Sequence, residues 1–324
     1  MRVLAAFAAA AVLICLFVQA SSSFSLEERT QGPVVFVEDT LYSEPLTWEN
    51  VTVDDVGAVT SVSVAALPVG SGIFLHYVRA LITADEAERL IGVCDDRQGW
   101  SSSPIRLGAQ TTVDGGSIES HGDRPRIRTS SSCPLIWPPH YRRLEADPDA
   151  FGDKGAALLG ELGLAVAVSR RVARLMGVDD SAVEPLQLVR YRYGESYSTH
   201  HDHGAYYGWA SEQRPYTLLL FLNSVPEGDG GGHTAFPTLK TKVLPHSGDA
   251  ILWANTDFGA TADAAAADPA VQAGAGQASV LPPAVLLDAV HEAVSIMLPG
   301  TVKYVANVWI GTSYEDIQAS RARA

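Results

Sequence analysis

Leu186–Tyr193 reads LQLVRYRY and Tyr216–Asn223 reads YTLLLFLN. Both runs are short, apolar and bounded by turn residues, so they predict strands rather than helices. Further β-runs follow at Ala250–Ala254, Val294–Leu298 and Val302–Ile310, and Gly228-Asp229-Gly230-Gly231-Gly232 forms a turn between the second run and the third. Many short strands without intervening helices predict a sandwich or jelly roll. Upstream, Thr83-Ala84-Asp85-Glu86 is a capping box that opens a helix burying Ala87, Leu90 and Ile91. A second helix is predicted from about Ala156 to Met176, with Leu158, Leu162, Ala165, Val172 and Met176 at helical spacing and Gly177 as its stop. Two helices ahead of the strands can cover one sheet, whose apolar outer face must be buried. The fold class is therefore α+β, mostly β, with supporting helices packed on one sheet.

Composition agrees with a globular protein: 324 residues, 19% charged and 47% hydrophobic. Lys+Arg is 23 against Asp+Glu 37, a net charge of -14, which excludes nucleic acid as a main partner because phosphate binding needs a basic footprint. Three Cys exclude a disulfide-dense scaffold and a Cys-only zinc module. Six of the nine His lie between His200 and His291.

At the N-terminus, Arg2 precedes an apolar run, Val3 to Val18, and then Gln19-Ala20-Ser21. Residues 1–20 read as a signal peptide cut after Ala20, or as a retained signal anchor. Either reading places the chain in the secretory pathway, in the endoplasmic reticulum or Golgi lumen, with membrane attachment only in the anchor case. Asn50-Val51-Thr52 is an N-glycosylation sequon that suits this route. Cys94 and Cys133 either pair in an oxidising lumen or are simply buried. Residues 21–71 form a leader with a few short strands, and 72–314 form one domain. Within that domain the Ala- and Gly-rich tract Gly259–Ser279 is a surface insertion, and 315–324 are a tail.

His200-His201-Asp202-His203 is the densest group of potential ligands. A His-x-Asp pair on a strand points both side chains to one face. One distant His would complete a 2-His-1-carboxylate set, which leaves open positions on Fe(II). Chance supplies about one His-x-acid pair in such a chain, and two are present. His121-Gly122-Asp123 sits in the polar loop Ser117–Arg128 and reads as the chance pair. For His200 and Asp202, the pair alone leaves a solvated polar loop as an equal reading.

The surrounding sequence separates the two readings. Tyr191-x-x-Gly194-x-x-Tyr197-x-x-His200-x-Asp202 resembles the metal-binding strand of the prolyl 4-hydroxylase family of Fe(II)/2-oxoglutarate dioxygenases. Matching segments follow the family's order. They are Arg126-Ile127-Arg128-Thr129-Ser130, Arg214-x-x-Thr217, Gly231-Gly232-His233-Thr234-Ala235-Phe236-Pro237, Pro245-x-x-Gly248-Asp249-Ala250, His291, Gly300-x-x-Lys303 and Trp309. The resemblance runs from about Ile73 to Gly311 and implies a double-stranded β-helix, that is, a jelly roll.

The resemblance implies that His200, Asp202 and His291 hold the iron. It implies that Lys303 pairs with the distal carboxylate of 2-oxoglutarate, with Tyr191 and Thr234 donating hydroxyl hydrogen bonds to it. Tyr197 and Arg214 would line the peptide-substrate side. Lys303 is the only Lys after Lys242, and alternation puts Lys303, Asn307 and Trp309 on one strand face. His201, His203, His233 and His246 are not expected to be ligands: His201 points away from the pair, His203 and His246 face solvent, and His233 makes a surface contact. The implied activity is hydroxylation of peptidyl proline, coupled to oxidative decarboxylation of 2-oxoglutarate to succinate and CO2. O2 is the second cosubstrate and ascorbate an accessory reductant. No side chain beyond the metal centre need act as an acid or base.

Three features depart from the family pattern. The interval from His291 to Lys303 is two residues longer than usual and calls for a bulge or longer turn. Residues 259–279 lengthen the approach to His291, and His233 stands where Glu is common. Other readings are a related dioxygenase acting on lysine or a small molecule, a zinc hydrolase built on the His200–His203 cluster, and a non-catalytic jelly roll that binds peptide or glycan.

Overall fold

Period-two alternation divides strand Lys303–Ile310 between two apolar layers. Tyr304, Ala306, Val308 and Ile310 join one cluster and Val305 the other. The same division holds across the nine-stranded antiparallel sheet to which this strand belongs. In the computed structural model, which describes residues 33–55, 58–70, 73–103, 128–203, 214–227, 230–257 and 284–311, that sheet has the following order. It runs Glu49–Asp55, Ala58–Ala66, Leu75–Arg79, Ala250–Ala254, Tyr216–Phe221, Lys303–Ile310, Gln187–Tyr191, Ser131–Pro134, Ser101–Ser102. A six-stranded antiparallel sheet faces it, ordered Thr40–Leu41, Val35–Val37, Thr241–Val243, Thr234–Phe236, His291–Ala293, Tyr197–His200.

From residue 187 onward the chain passes back and forth between these sheets. Strands 187–191, 216–221, 250–254 and 303–310 lie in the larger sheet, and 197–200, 234–236, 241–243 and 291–293 in the smaller. These eight antiparallel strands, four per sheet, make the expected jelly roll. Its interior is a layer of Tyr77, Val189, Leu219, Phe221, Ile251, Trp253 and Val305 from one sheet against Phe236 and Val243 from the other.

α1 (Ala84–Asp96) and α3 (Gly155–Met176) pack on the outer face of the larger sheet, and α2 (Pro138–Ala146) packs on α3 through Tyr141 and Leu144 against Leu162 and Val166. The capping box of α1 is closed in both directions between Thr83 and Glu86. This helix buries Ala87, Leu90 and Cys94, with Ile91 only half-buried at the edge of the contact. α3 ends at Gly177, whose φ of 65° lies in the left-handed region that favours glycine. α2 escapes a periodicity reading because it is short and carries few apolar residues, and Pro138-Pro139 at its start was the available signal.

Several sequence expectations need correction. Residues 35–66, assigned to a leader, add two strands to the smaller sheet and two to the larger, so the compact region begins well before residue 72. The expected strand Val294–Leu298 is absent: the strand is His291–Ala293, and the segment after it makes single contacts with a glycine loop. There Met297 N–H donates to Gly230 O and Gly232 N–H donates to Ser295 O. Irregular backbone over 294–302 joins the His291 strand to the Lys303 strand, and the register shift lies between the 291–293 and 197–200 strands. Cys94 and Cys133 are joined as a disulfide that ties α1 to strand 131–134. The expected signal sequence, the His121–Asp123 pair, the 259–279 insertion and the 315–324 tail lie outside the described residues.

Candidate metal centre

His200 ends its strand, His291 begins the neighbouring one, and the two are paired across the ladder. Asp202 lies two residues beyond the strand end. The expectation of a shared strand face therefore fails for the aspartate, which is aimed instead by a bond from the opposite sheet. Thr217 donates its hydroxyl to Asp202 Oδ2 at 2.9 Å. Asp202 Oδ1 lies 3.8 Å from His200 Nε2, and Oδ2 lies 3.7 Å from His291 Nε2. The imidazole centroids are 4.3 Å apart. Among the described residues this is the one group of three or more His, Cys, Asp or Glu side chains that could converge on a metal ion.

The hydrogen bonds fix the tautomers. His200 Nδ1 is 2.8 Å from Ser198 O and His291 Nδ1 is 2.9 Å from Ala289 O. A carbonyl only accepts, so each Nδ1 carries the proton and each Nε2 offers its lone pair toward Asp202. Burial, reinforced by His291, pushes the His200 pKa down and keeps the ring neutral. Burial also pushes the Asp202 carboxyl up, but the attraction of His291, His200 and Arg214 outweighs it and the carboxyl stays ionised. Two imidazoles presenting Nε2 and one carboxylate fit Fe(II), which accepts both donor types and keeps open positions on such a face.

The second half of the site is a buried cation. Lys303 is 1% exposed, and its ammonium donates to Thr234 Oγ1 at 3.1 Å. It is paired across the ladder with Tyr191 and lies 5.7 Å from the centre of that ring. Burial alone brings its pKa down to about 7. Burial likewise raises the Tyr191 phenol. No carboxylate among the described residues pairs with Lys303, and an ammonium in this setting calls for an anion. Thr234 is opposite Ala293, two positions from His291. That separation is about 7 Å along the strand, a gap that a five-carbon dicarboxylate can bridge between metal and cation.

The remaining expected site residues have defined places. Tyr197 stacks on His200 with centroids 3.6 Å apart, and the Arg128 guanidinium covers it at 4.7 Å. Arg214 is held by Glu184 through bonds of 2.6 and 2.8 Å and stacks on Trp309 at 3.7 Å. The Trp309 indole N–H contributes to keeping Asp202 ionised without closing a hydrogen bond of ordinary geometry. His203 and His201 are half-buried with Nδ1 atoms that lack partners among the described residues, which corrects the solvent-facing expectation for His203. His246 lies 3.2 Å from Asp249. His233 is half-buried with its ring edge-on to Phe36, and burial, Lys303 and Lys242 lower its pKa to about 4. Thr217, Asn255 and Trp253 were not read as site residues. The available signal was a polar residue inside or just after each apolar run, YTLLLF and AILWAN.

Residues 186–311 match the family model of the 2OG-Fe(II) oxygenase superfamily. The strands of the roll from residue 187 onward and the two-His-one-Asp set fall within this matched stretch, which is similar to that superfamily. Curated proteins to which the chain is similar include prolyl 4-hydroxylases. Prolyl 4-hydroxylase 13 of Arabidopsis thaliana is 34% identical over 112 residues, 29% of this chain and 40% of the relative. Prolyl 4-hydroxylase subunit alpha-1 of Homo sapiens is 31% identical over 143 residues, 41% of this chain and 24% of the relative. The chain thus spans less than half the length of these relatives. Among solved structures, the viral collagen prolyl hydroxylase vCPH from Paramecium Bursaria Chlorella virus-1, in its 2OG complex, has 19% sequence identity and a TM-score of 0.45. That comparison covers 74% of this chain and 97% of the viral one.

Proposed function

We propose that the protein is a 2-oxoglutarate-dependent dioxygenase that hydroxylates peptidyl proline. The observation that carries this reading is the pairing, inside one roll, of the His200–Asp202–His291 set with the buried cation Lys303. A zinc hydrolase has no use for that cation.

In this reading His200, Asp202 and His291 hold Fe(II), and Lys303, Thr234 and Tyr191 hold the distal carboxylate of 2-oxoglutarate. Bound together, Fe(II), 2-oxoglutarate and O2 supply the oxidising power for C–H hydroxylation, with succinate and CO2 as co-products and ascorbate maintaining the ferrous state. The protein's share is positional. Tyr197 fixes the His200 ring by stacking, and the apolar interior built from Phe221, Phe236 and Trp253 excludes water. Arg214, with both arms on Glu184, stacks on Trp309 and braces it beside Asp202. The peptide-proline assignment comes from the likeness to prolyl 4-hydroxylases. The Cys94–Cys133 disulfide and the N-terminal apolar run support an oxidising secretory compartment, the endoplasmic reticulum or Golgi lumen.

The test is succinate release from 2-oxoglutarate with Fe(II), ascorbate, O2 and proline-rich peptides. The expected result is peptide-stimulated succinate formation that His200→Ala abolishes. Turnover unaffected by His200→Ala, or equal turnover without O2, would sink the assignment.

A further inference from the structure

The Asp202 carboxylate lies at the end of a buried chain of hydrogen bonds whose direction is set at its far end. Trp253 Nε1–H can only donate, and it lies 2.9 Å from Asn255 Oδ1. That contact settles the orientation of the Asn255 amide, so Nδ2 faces Thr217 Oγ1 at 2.8 Å and donates to it. The second Nδ2 hydrogen goes to Arg214 O at 3.0 Å. With its oxygen accepting from Asn255, the Thr217 hydroxyl spends its single hydrogen on Asp202 Oδ2. Trp253, Thr217 and Asn255 are each 0% exposed, so water does not compete along the chain. The Trp253 ring also packs against His291, 4.7 Å between centroids, so one indole touches one metal-ligand candidate and orients another.

We propose that Thr217 and Asn255 are positioning residues that fix the Asp202 carboxylate for the metal, and that Trp253 sets the polarity of this relay. The inference rests on the metal-binding reading of His200, Asp202 and His291, but not on the peptide substrate. Removing the Thr217 hydroxyl frees the carboxylate to rotate. Converting the Asn255 amide to a carboxylate takes away the donor to Thr217 and offers its hydroxyl a competing acceptor, turning that hydrogen away from Asp202 with no change in side-chain size. Partners of this kind typically alter metal affinity about 10- to 100-fold.

The experiment titrates Co(II) into the metal-free full-length protein and follows the ligand-field absorption of the bound ion. Wild type is compared with Thr217→Ser, Thr217→Val and Asn255→Asp, and metal-free melting is recorded for each. The expected result is a roughly 10- to 100-fold weaker Co(II) site with an altered spectrum in Thr217→Val and Asn255→Asp. Thr217→Ser should retain both the affinity and the spectrum. If Thr217→Val fails to fold, Asn255→Asp against Thr217→Ser makes the same comparison. Wild-type affinity and spectrum in Asn255→Asp would overturn the relay while leaving the metal site standing. Equal losses in all variants, tracking lower melting temperatures, would reduce these residues to a packing role and overturn it too. Wild-type protein that takes up no Co(II) would overturn both the relay and the metal reading beneath it.

Discussion

Lys303 of the larger sheet donates to Thr234 of the smaller one at 3.1 Å, and this bond bridges the two faces of the roll. A neutral hydroxyl is a weak counterpart for an ammonium held out of water. The fold therefore carries an electrostatic cost at Lys303 that a bound dicarboxylate would relieve.

Binding of 2-oxoglutarate should take up protons. With its pKa near 7, Lys303 is partly neutral at and above that pH. An arriving carboxylate favours the charged ammonium and raises the pKa. Calorimetry at pH 8 in buffers of different ionisation enthalpy should show net proton uptake, and Lys303→Arg should show much less. Buffer-independent heats in the wild type would contradict this.

Lys303→Met should stabilise the ligand-free protein. Between a folded pKa near 7 and the ordinary lysine value, the unfolded chain binds the extra proton, so wild-type stability rises with pH across that window. Below pH 7 the full cost of the buried charge is present, so the gain from Lys303→Met is largest there and shrinks toward pH 10. Denaturant unfolding at pH 6 and pH 9.5 measures it, and a gain that does not depend on pH would refute the account. The same variant should lose 2-oxoglutarate affinity by at least about 100-fold, the loss of a buried charge-assisted pair.

The Cys94–Cys133 bond closes a loop of sequence separation 39. By the chain-entropy relation, breaking it costs about 4 kcal/mol. Cys133→Ala should lower unfolding free energy by that order, with reductant lowering the wild type alone to a similar level. Insensitivity of the wild type to reductant would mean that the two cysteines are not paired.

Asn50 and Thr52 are exposed on Glu49–Asp55, an edge strand of the larger sheet, while Val51 and Val53 pack inward. Protein made through a eukaryotic secretory route should carry a glycan at Asn50, seen as a mass shift that endoglycosidase removes and Asn50→Gln prevents. An unmodified Asn50 in secreted protein would count against this acceptor.

Much of this site was legible in the sequence because its chemistry is concentrated in short motifs. His200, Asp202, His291 and Lys303 are each conspicuous, the last two because no other His follows His246 and no other Lys follows Lys242. What the sequence hid are relationships between distant strands. Thr217 reads as one polar residue in an apolar run until strand 216–221 is placed across from Asp202. A few short strands were legible in 21–71, but not their places in the two sheets, because the register of Val35–Val37 comes from partners as far away as Thr241–Val243. The same-face argument for His200 and Asp202 fails in its geometry, since the strand stops at His200 and Asp202 converges on both histidines from beyond its end.

The most direct test of the central claim is mass spectrometry of a proline-rich peptide incubated with the Fe(II)-loaded full-length protein, 2-oxoglutarate and isotopically labelled O2. The account predicts one labelled oxygen atom on a proline ring carbon for each succinate formed, and none with Asp202→Ala. Succinate released without oxygen appearing on proline, or label appearing on a different residue, would contradict it.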